Sequence, residues 1–244
     1  GDLYSSNMTH PTKRFLVFIP ILISMGIFLS FIGVFLYHLF FRDLNELYRA
    51  ADTFVSAVQP SAVMTILIIQ AAVAAAAILI LYLFFRKTPS AEVFFFLFAL
   101  LGFSLQATRF YMMPAAMVTM SPYSLIPITR FVYFGRILTT LSLFASGLFA
   151  TGITNQRRNF YLSIILLISF IIAASLPVDF TSVDRPFIFA IDDNIGFPLV
   201  YYALCTFTVL NYFTAAYSHS EKMYIMVAIA ILLVITGIEI LFFF

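Results

Sequence analysis

Seven apolar stretches, each about as long as the roughly 20 residues a helix needs to cross a hydrocarbon layer of about 30 Å, occupy almost all of this 244-residue chain. They fall at about Phe15 to Phe41, Ser61 to Phe85, Ala91 to Met120, Tyr123 to Thr151, Phe160 to Pro177, Gly196 to Tyr217 and Met223 to Phe244. In lipid every backbone N–H and C=O must be bonded within its own segment, so these runs predict helices. The expected fold is an all-α polytopic transmembrane bundle of about seven spans, forming one domain over residues 8–244. Met8 follows a short polar stretch and is expected to be the natural start, with residues 1–7 a cloning remnant.

Composition excludes the soluble alternatives. With 63% hydrophobic and 10% charged residues, too little polar surface remains to cover a water-soluble domain. A net charge of +2 gives nucleic acid nothing to bind, and the lipid bilayer is the expected partner. Tryptophan is absent, so interfacial anchoring falls to the 13 tyrosines and to Lys and Arg. Cys205, the single cysteine, lies within an apolar run and reads as a small buried hydrophobe.

Two connections are longer than the rest. Leu44, Leu47, Tyr48, Ala51, Phe54 and Val55 follow helical spacing opposite Asp43, Glu46, Arg49 and Asp52, which predicts a short interfacial helix after the first span. The segment from Val178 to Ile195 carries Asp179, Asp184, Asp192 and Asp193 with a proline, and predicts a surface loop. Lys13, Arg14, Arg86, Lys87, Arg157, Arg158 and Lys222 fall on one side, against Arg42, Arg49 and Arg185 on the other. The positive-inside rule then expects a cytoplasmic N-terminus, with both long connections outside. Phe244 is left on the outer side, the reverse of the parity in seven-helix receptors and rhodopsins. No three-span internal repeat is evident by eye.

Ionisable residues inside spans mark candidate sites, because an arginine at the bilayer centre costs at least about 2.5 kcal/mol. Arg109 lies in the third span and Arg130 and Arg136 in the fourth; His38 and Glu239 stand in the outer parts of the first and seventh. Thr129, Tyr133, Arg136 and Thr140 follow one another at i, i+4, i+7 and i+11, a single stripe that must avoid lipid. The candidate ligand-binding set is therefore Arg109, Arg130, Tyr133, Arg136, Glu239 and His38, around a polar, cationic cavity suited to an anionic ligand or lipid headgroup. The competing reading has Arg109 and Arg130 reaching the interface and Arg136 forming a structural ion pair with Glu239.

Other chemistries lack their residues. No metal-ligand spacing surrounds His38, and no nucleophile elbow, P-loop or H-E-x-x-H occurs. A retinal linkage would need a lysine in the last span, and only Lys222 stands near it. The expected function is a non-enzymatic sensor or receptor module without cofactor. A transporter or permease for an anion or amphiphile is the first alternative. The second is a structural subunit of a membrane complex, whose partner is another membrane protein or a second copy of the chain.

Overall fold

A computed structural model describes residues 10–41, 60–85, 90–117, 122–152, 158–185, 187–192, 196–219 and 222–243. The helices are α1 (His10–Phe41), α2 (Pro60–Phe85), α3 (Ala91–Gln106), α4 (Met112–Met117), α5 (Pro122–Ala150), α6 (Arg158–Ser175), α7 (Gly196–His219) and α8 (Lys222–Phe243). Seven of the described helical segments are long and apolar enough to cross a membrane, with α3 and the stretch that follows it counted as one. The protein is an integral, multi-pass helical bundle. The expected interfacial helix after the first span lies outside the described residues.

The third span is not a continuous α-helix. Ala107–Tyr111 winds as a 3-10 helix before α4 resumes the α form. Pro114 supplies the reason: it has no N–H for the carbonyl of Phe110, four residues back, and its ring crowds that oxygen, so the preceding turn tightens. Pro198, in the first turn of α7, costs no such bond.

The core is organised around α3 and α5, whose spans are both 72% buried, against 22% for the spans of α1, α6 and α8. Gly102 and Gly135 face each other there. A Cβ on Gly102 would stand 2.6 Å from the Gly135 carbonyl oxygen, and one on Gly135 would stand 2.7 Å from that of Gly102. Small residues let two backbones meet, which is how helices gain contact where lipid tails are as apolar as leucine. Polar side chains tie the same interface, with Gln106 donating to Thr139 at 3.2 Å and Thr139 donating to the Ala99 carbonyl at 3.2 Å. In α2, the alanine-rich face buries Ala71, Ala74 and Ala75, while Gln70 donates to the Phe103 carbonyl at 3.0 Å.

The segment after α6 is not the expected surface loop. It forms an antiparallel hairpin of β1 (Val178–Arg185) and β2 (Ile188–Ile191), whose turn includes Phe187 at φ 61°. Phe187, Ile188 and Phe189 are buried. Phe187 and Phe189 pack with Phe31, Met112 and Leu125, while Ile188 joins Val132, Tyr133, Leu176 and Phe242. The acidic residues suggested solvent, but the apolar run Phe187–Ile191 provides the face that seats the hairpin on the bundle.

Candidate functional site

The stripe on α5 turns inward as its spacing requires: Thr129, Tyr133, Arg136 and Thr140 are all buried. Side chains on a helix lean toward its N-terminus, so the long Arg136 side chain leans toward the hairpin end of the bundle. There its guanidinium meets α7 and α8. Nη2 donates to Glu239 Oε2 at 2.7 Å. The guanidinium carbon lies 3.8 Å from the centre of the Phe242 ring and 4.3 Å from that of Tyr201. Two aromatic faces thus surround a cation that has left water, and the carboxylate supplies the opposite charge.

Glu239 does not spend itself wholly on the arginine. The Tyr201 hydroxyl donates to Oε1 at 2.6 Å, and the Tyr202 hydroxyl donates to Oε2 at 3.4 Å. A carboxylate held by Tyr201 at one oxygen meets the guanidinium through the other alone. Arg136 Nε and Nη1 are consequently buried with no hydrogen-bond partner among the described residues. Unpaired buried donors of a charged group are costly, so two such atoms on one guanidinium mark unspent binding capacity.

Arg109 reaches the same place from the 3-10 stretch. It is 1% exposed, and donates from Nη1 to the Phe242 carbonyl at 3.1 Å and from Nη2 to the Leu241 carbonyl at 2.6 Å. These carbonyls lie in the last turn of α8, where unpaired oxygens and the helix dipole favour a cation. Phe242 is the hub of the site. Its ring faces Arg136, lies 5.8 Å from the Arg109 guanidinium and 5.9 Å from the Tyr133 ring, edge to face.

Of the six residues singled out in the sequence, Arg109, Tyr133, Arg136 and Glu239 come together around Phe242. Arg130 does not join them; it is exposed, because six residues along a helix from Arg136 place it on a different face. The side chain of His38 lies outside the described residues. Tyr201, Tyr202 and Phe242 are additions the sequence reading missed. Its tyrosines were assigned to the membrane interface as a class, and a phenylalanine in an apolar span carries no signal of its own.

One turn along α5 and α7 from this cluster lies a cavity lined by Thr139, Thr140, Leu143, Tyr201, Cys205, Thr208, Ile235 and Ile238. It has room for about one water molecule. Among the described residues no group of three or more His, Cys, Asp or Glu could hold a metal ion. Two guanidinium groups against one carboxylate leave the cluster cationic, with the α8 carbonyls offsetting part of the excess. Such an arrangement can exchange one carboxylate-like partner for another.

Compared with known protein families, with characterised proteins and with solved structures, the chain matches none.

Proposed function

We propose that this chain is a non-enzymatic, receptor-type membrane module in which a small anion or an anionic headgroup competes with Glu239 for Arg136. The observation that carries the reading is the unspent donor pair, Nε and Nη1 of a buried guanidinium, beside a carboxylate that Tyr201 already holds. An incoming carboxylate or phosphate oxygen on Arg136 weakens its hold on Glu239, and with it the tie between α5 and α8. Helix movement then reports occupancy, because a ligand shifts an equilibrium by its differential affinity for the two states. The cation count of the connections supports a cytoplasmic N-terminus and an outward-facing site.

The reading is tested by thermal unfolding of purified protein in neutral detergent, titrated separately with acetate, inorganic phosphate and a short-chain phosphatidylglycerol. An anion-dependent rise in the midpoint is expected in the wild type and not in Arg136→Gln, since a ligand that binds only the folded state stabilises it by mass action. A wild-type midpoint indifferent to all three probes defeats the proposal. Anion entry into protein-loaded liposomes, absent under this reading, would transfer the site to a transporter.

A further inference from the structure

An oxyanion that grips Arg136 with two oxygens meets Glu239 at one nitrogen. A guanidinium offers two edges to a two-pronged partner, one pairing Nε with Nη2 and the other pairing Nη1 with Nη2. Nη2 already donates to Glu239 Oε2 at 2.7 Å, while Nε and Nη1 are buried with no hydrogen-bond partner among the described residues. Either edge therefore sets an incoming oxygen on the nitrogen that Glu239 holds, and the two negative groups come within about 6 Å of each other. The Phe242 and Tyr201 rings lie close over the guanidinium, at 3.8 and 4.3 Å from its carbon, and keep water from screening them.

The charged and titratable groups around Glu239 are few among the described residues. Helix α5 brings Arg136. Helix α7 brings the hydroxyls of Tyr201, 2.6 Å from Oε1, and Tyr202, 3.4 Å from Oε2, with Cys205 beside Tyr201 in the cavity lining. The 3-10 turn of the third span brings Arg109, whose Nη1 and Nη2 donate to the Phe242 and Leu241 carbonyls. From the hairpin come the apolar Ile188 and Ile191, packed with Phe242. On α8 itself Lys222 and Tyr224 stand more than about 20 Å away along the axis. An anion on Arg136 thus leaves Glu239 with two phenol hydroxyls, in a place where its side chain is only 15% exposed. A carboxylate so placed, next to a second negative charge, is disfavoured as an ion, and a proton removes the conflict.

We infer that Glu239 takes up a proton as an oxyanion takes its place on Arg136, so that the site binds an acid as its two ions, the anion on the guanidinium and the proton on the carboxylate. The inference rests on the exchange at Arg136 proposed above and adds the second ion to it. Charge balances for a monoanion: two guanidinium groups and one carboxylate become two guanidinium groups, one bound anion and one neutral carboxyl. No electron moves. The proton comes from solvent at the hairpin end, where α8 ends at Phe243, about 6 Å along the axis from Glu239.

The experiment uses the full chain in neutral detergent with sodium formate, which stays ionised at every pH used. Calorimetric titrations in two buffers of different ionisation enthalpy count the protons taken up per formate bound, and repeats between about pH 6 and 8 give the pH dependence. Because the complex holds more protons than the free site, the apparent Kd is expected to fall as pH falls, by about three- to tenfold per unit, with uptake of about one half to one proton. Glu239→Gln, which keeps the shape and cannot ionise, is expected to bind formate at a Kd that does not change with pH and without proton uptake. Should that variant fail to fold, infrared difference spectra of the wild type with isotopically labelled formate take its place. The C=O stretch of a protonated carboxyl is expected to appear on binding, unmoved by the label, and its absence overturns the inference. Wild-type binding at a pH-independent Kd with no proton uptake also overturns it, while leaving the exchange at Arg136 in place. So does a pH dependence that survives in Glu239→Gln. Failure of the wild type to bind formate at any pH overturns both.

Discussion

Helices α5 and α8 both cross the bundle, yet they are held by opposite means. The span of α5 is 72% buried and locked to α3 by direct backbone approach at Gly102 and Gly135. That of α8 is 22% buried, and Ile225, Met226, Ile229, Leu232, Leu233 and Ile240 are among its exposed residues. Its specific attachments gather at the hairpin end: Arg136 on Glu239, Tyr201 on the same carboxylate, and Arg109 on the Leu241 and Phe242 carbonyls. Close packing falls off within a fraction of an ångström and has one good solution. Hydrogen bonds to charge tolerate exchange of partner, so on the proposed reading α8 is the span whose position an added anion would alter.

The contrast breaks most sharply at the ion pair. Glu239→Leu alone strands the buried Arg136 guanidinium and is expected to cost about 3–5 kcal/mol; Arg136→Met, which leaves a half-buried carboxylate still held by Tyr201, should cost less, and the double variant recovers much of the loss. Thermal unfolding of the four proteins in one detergent gives the coupling directly. Additive losses would mean that the pair does not hold α8.

Gly102→Ala attacks the other mode. Its Cβ would meet Thr139 N at 2.7 Å as well as the Gly135 oxygen, so the helices must separate, at a cost of about 2–3 kcal/mol. Unlike the pair variants, this loss should not respond to added anions. A midpoint within experimental error of the wild type would show that the close approach is dispensable.

Arg109→Met keeps the stem and removes the cation from the α8 carbonyls, with an expected loss of about 1–2 kcal/mol. Hydrogen exchange localises it: faster exchange should be confined to the last two turns of α8, with α3 and α5 unaffected. Smallest of all, Arg130→Gln should change stability by no more than about 0.5 kcal/mol, because Arg130 is exposed. A large effect there would enlarge the site to a residue the geometry leaves out.

The spans were legible because hydrocarbon imposes one requirement on every residue that crosses it, and the helix limits lie within a few residues of the apolar runs. The inward face of α5 was legible for a related reason: Thr129, Tyr133, Arg136 and Thr140 share a periodicity that lipid would penalise. Depth alone did not separate Arg130 from Arg136, since both sit in one span and only the angle between them tells them apart. Gly102 and Gly135 passed unnoticed among larger residues, because a glycine in one helix allows so close an approach only where a glycine of its partner is level with it. Tyr201 and Phe242 escaped for the same cause: their roles depend on which helices are neighbours, and apolar periodicity does not encode that. The hairpin was hidden by four aspartates that flank an apolar strand.

The 3-10 turns of the third span have a further effect, on phase. Five residues wound at three per turn advance about 2.5 Å farther and rotate about 100° more than the same five in an α-helix. The span therefore turns different faces to the same neighbours partway along. Before Ala107, Gly102 lies against α5 while the Phe103 carbonyl accepts from Gln70 of α2; after it, Phe110 and Met112 are buried among Phe31, Val63 and Leu67 of α1 and α2, Leu125 of α5 and Phe187 of the hairpin. Arg109 sits on the gear change itself, so straightening the span, as Pro114→Ala favours, would swing this guanidinium around the axis and away from α8 without altering one residue of the cluster it serves.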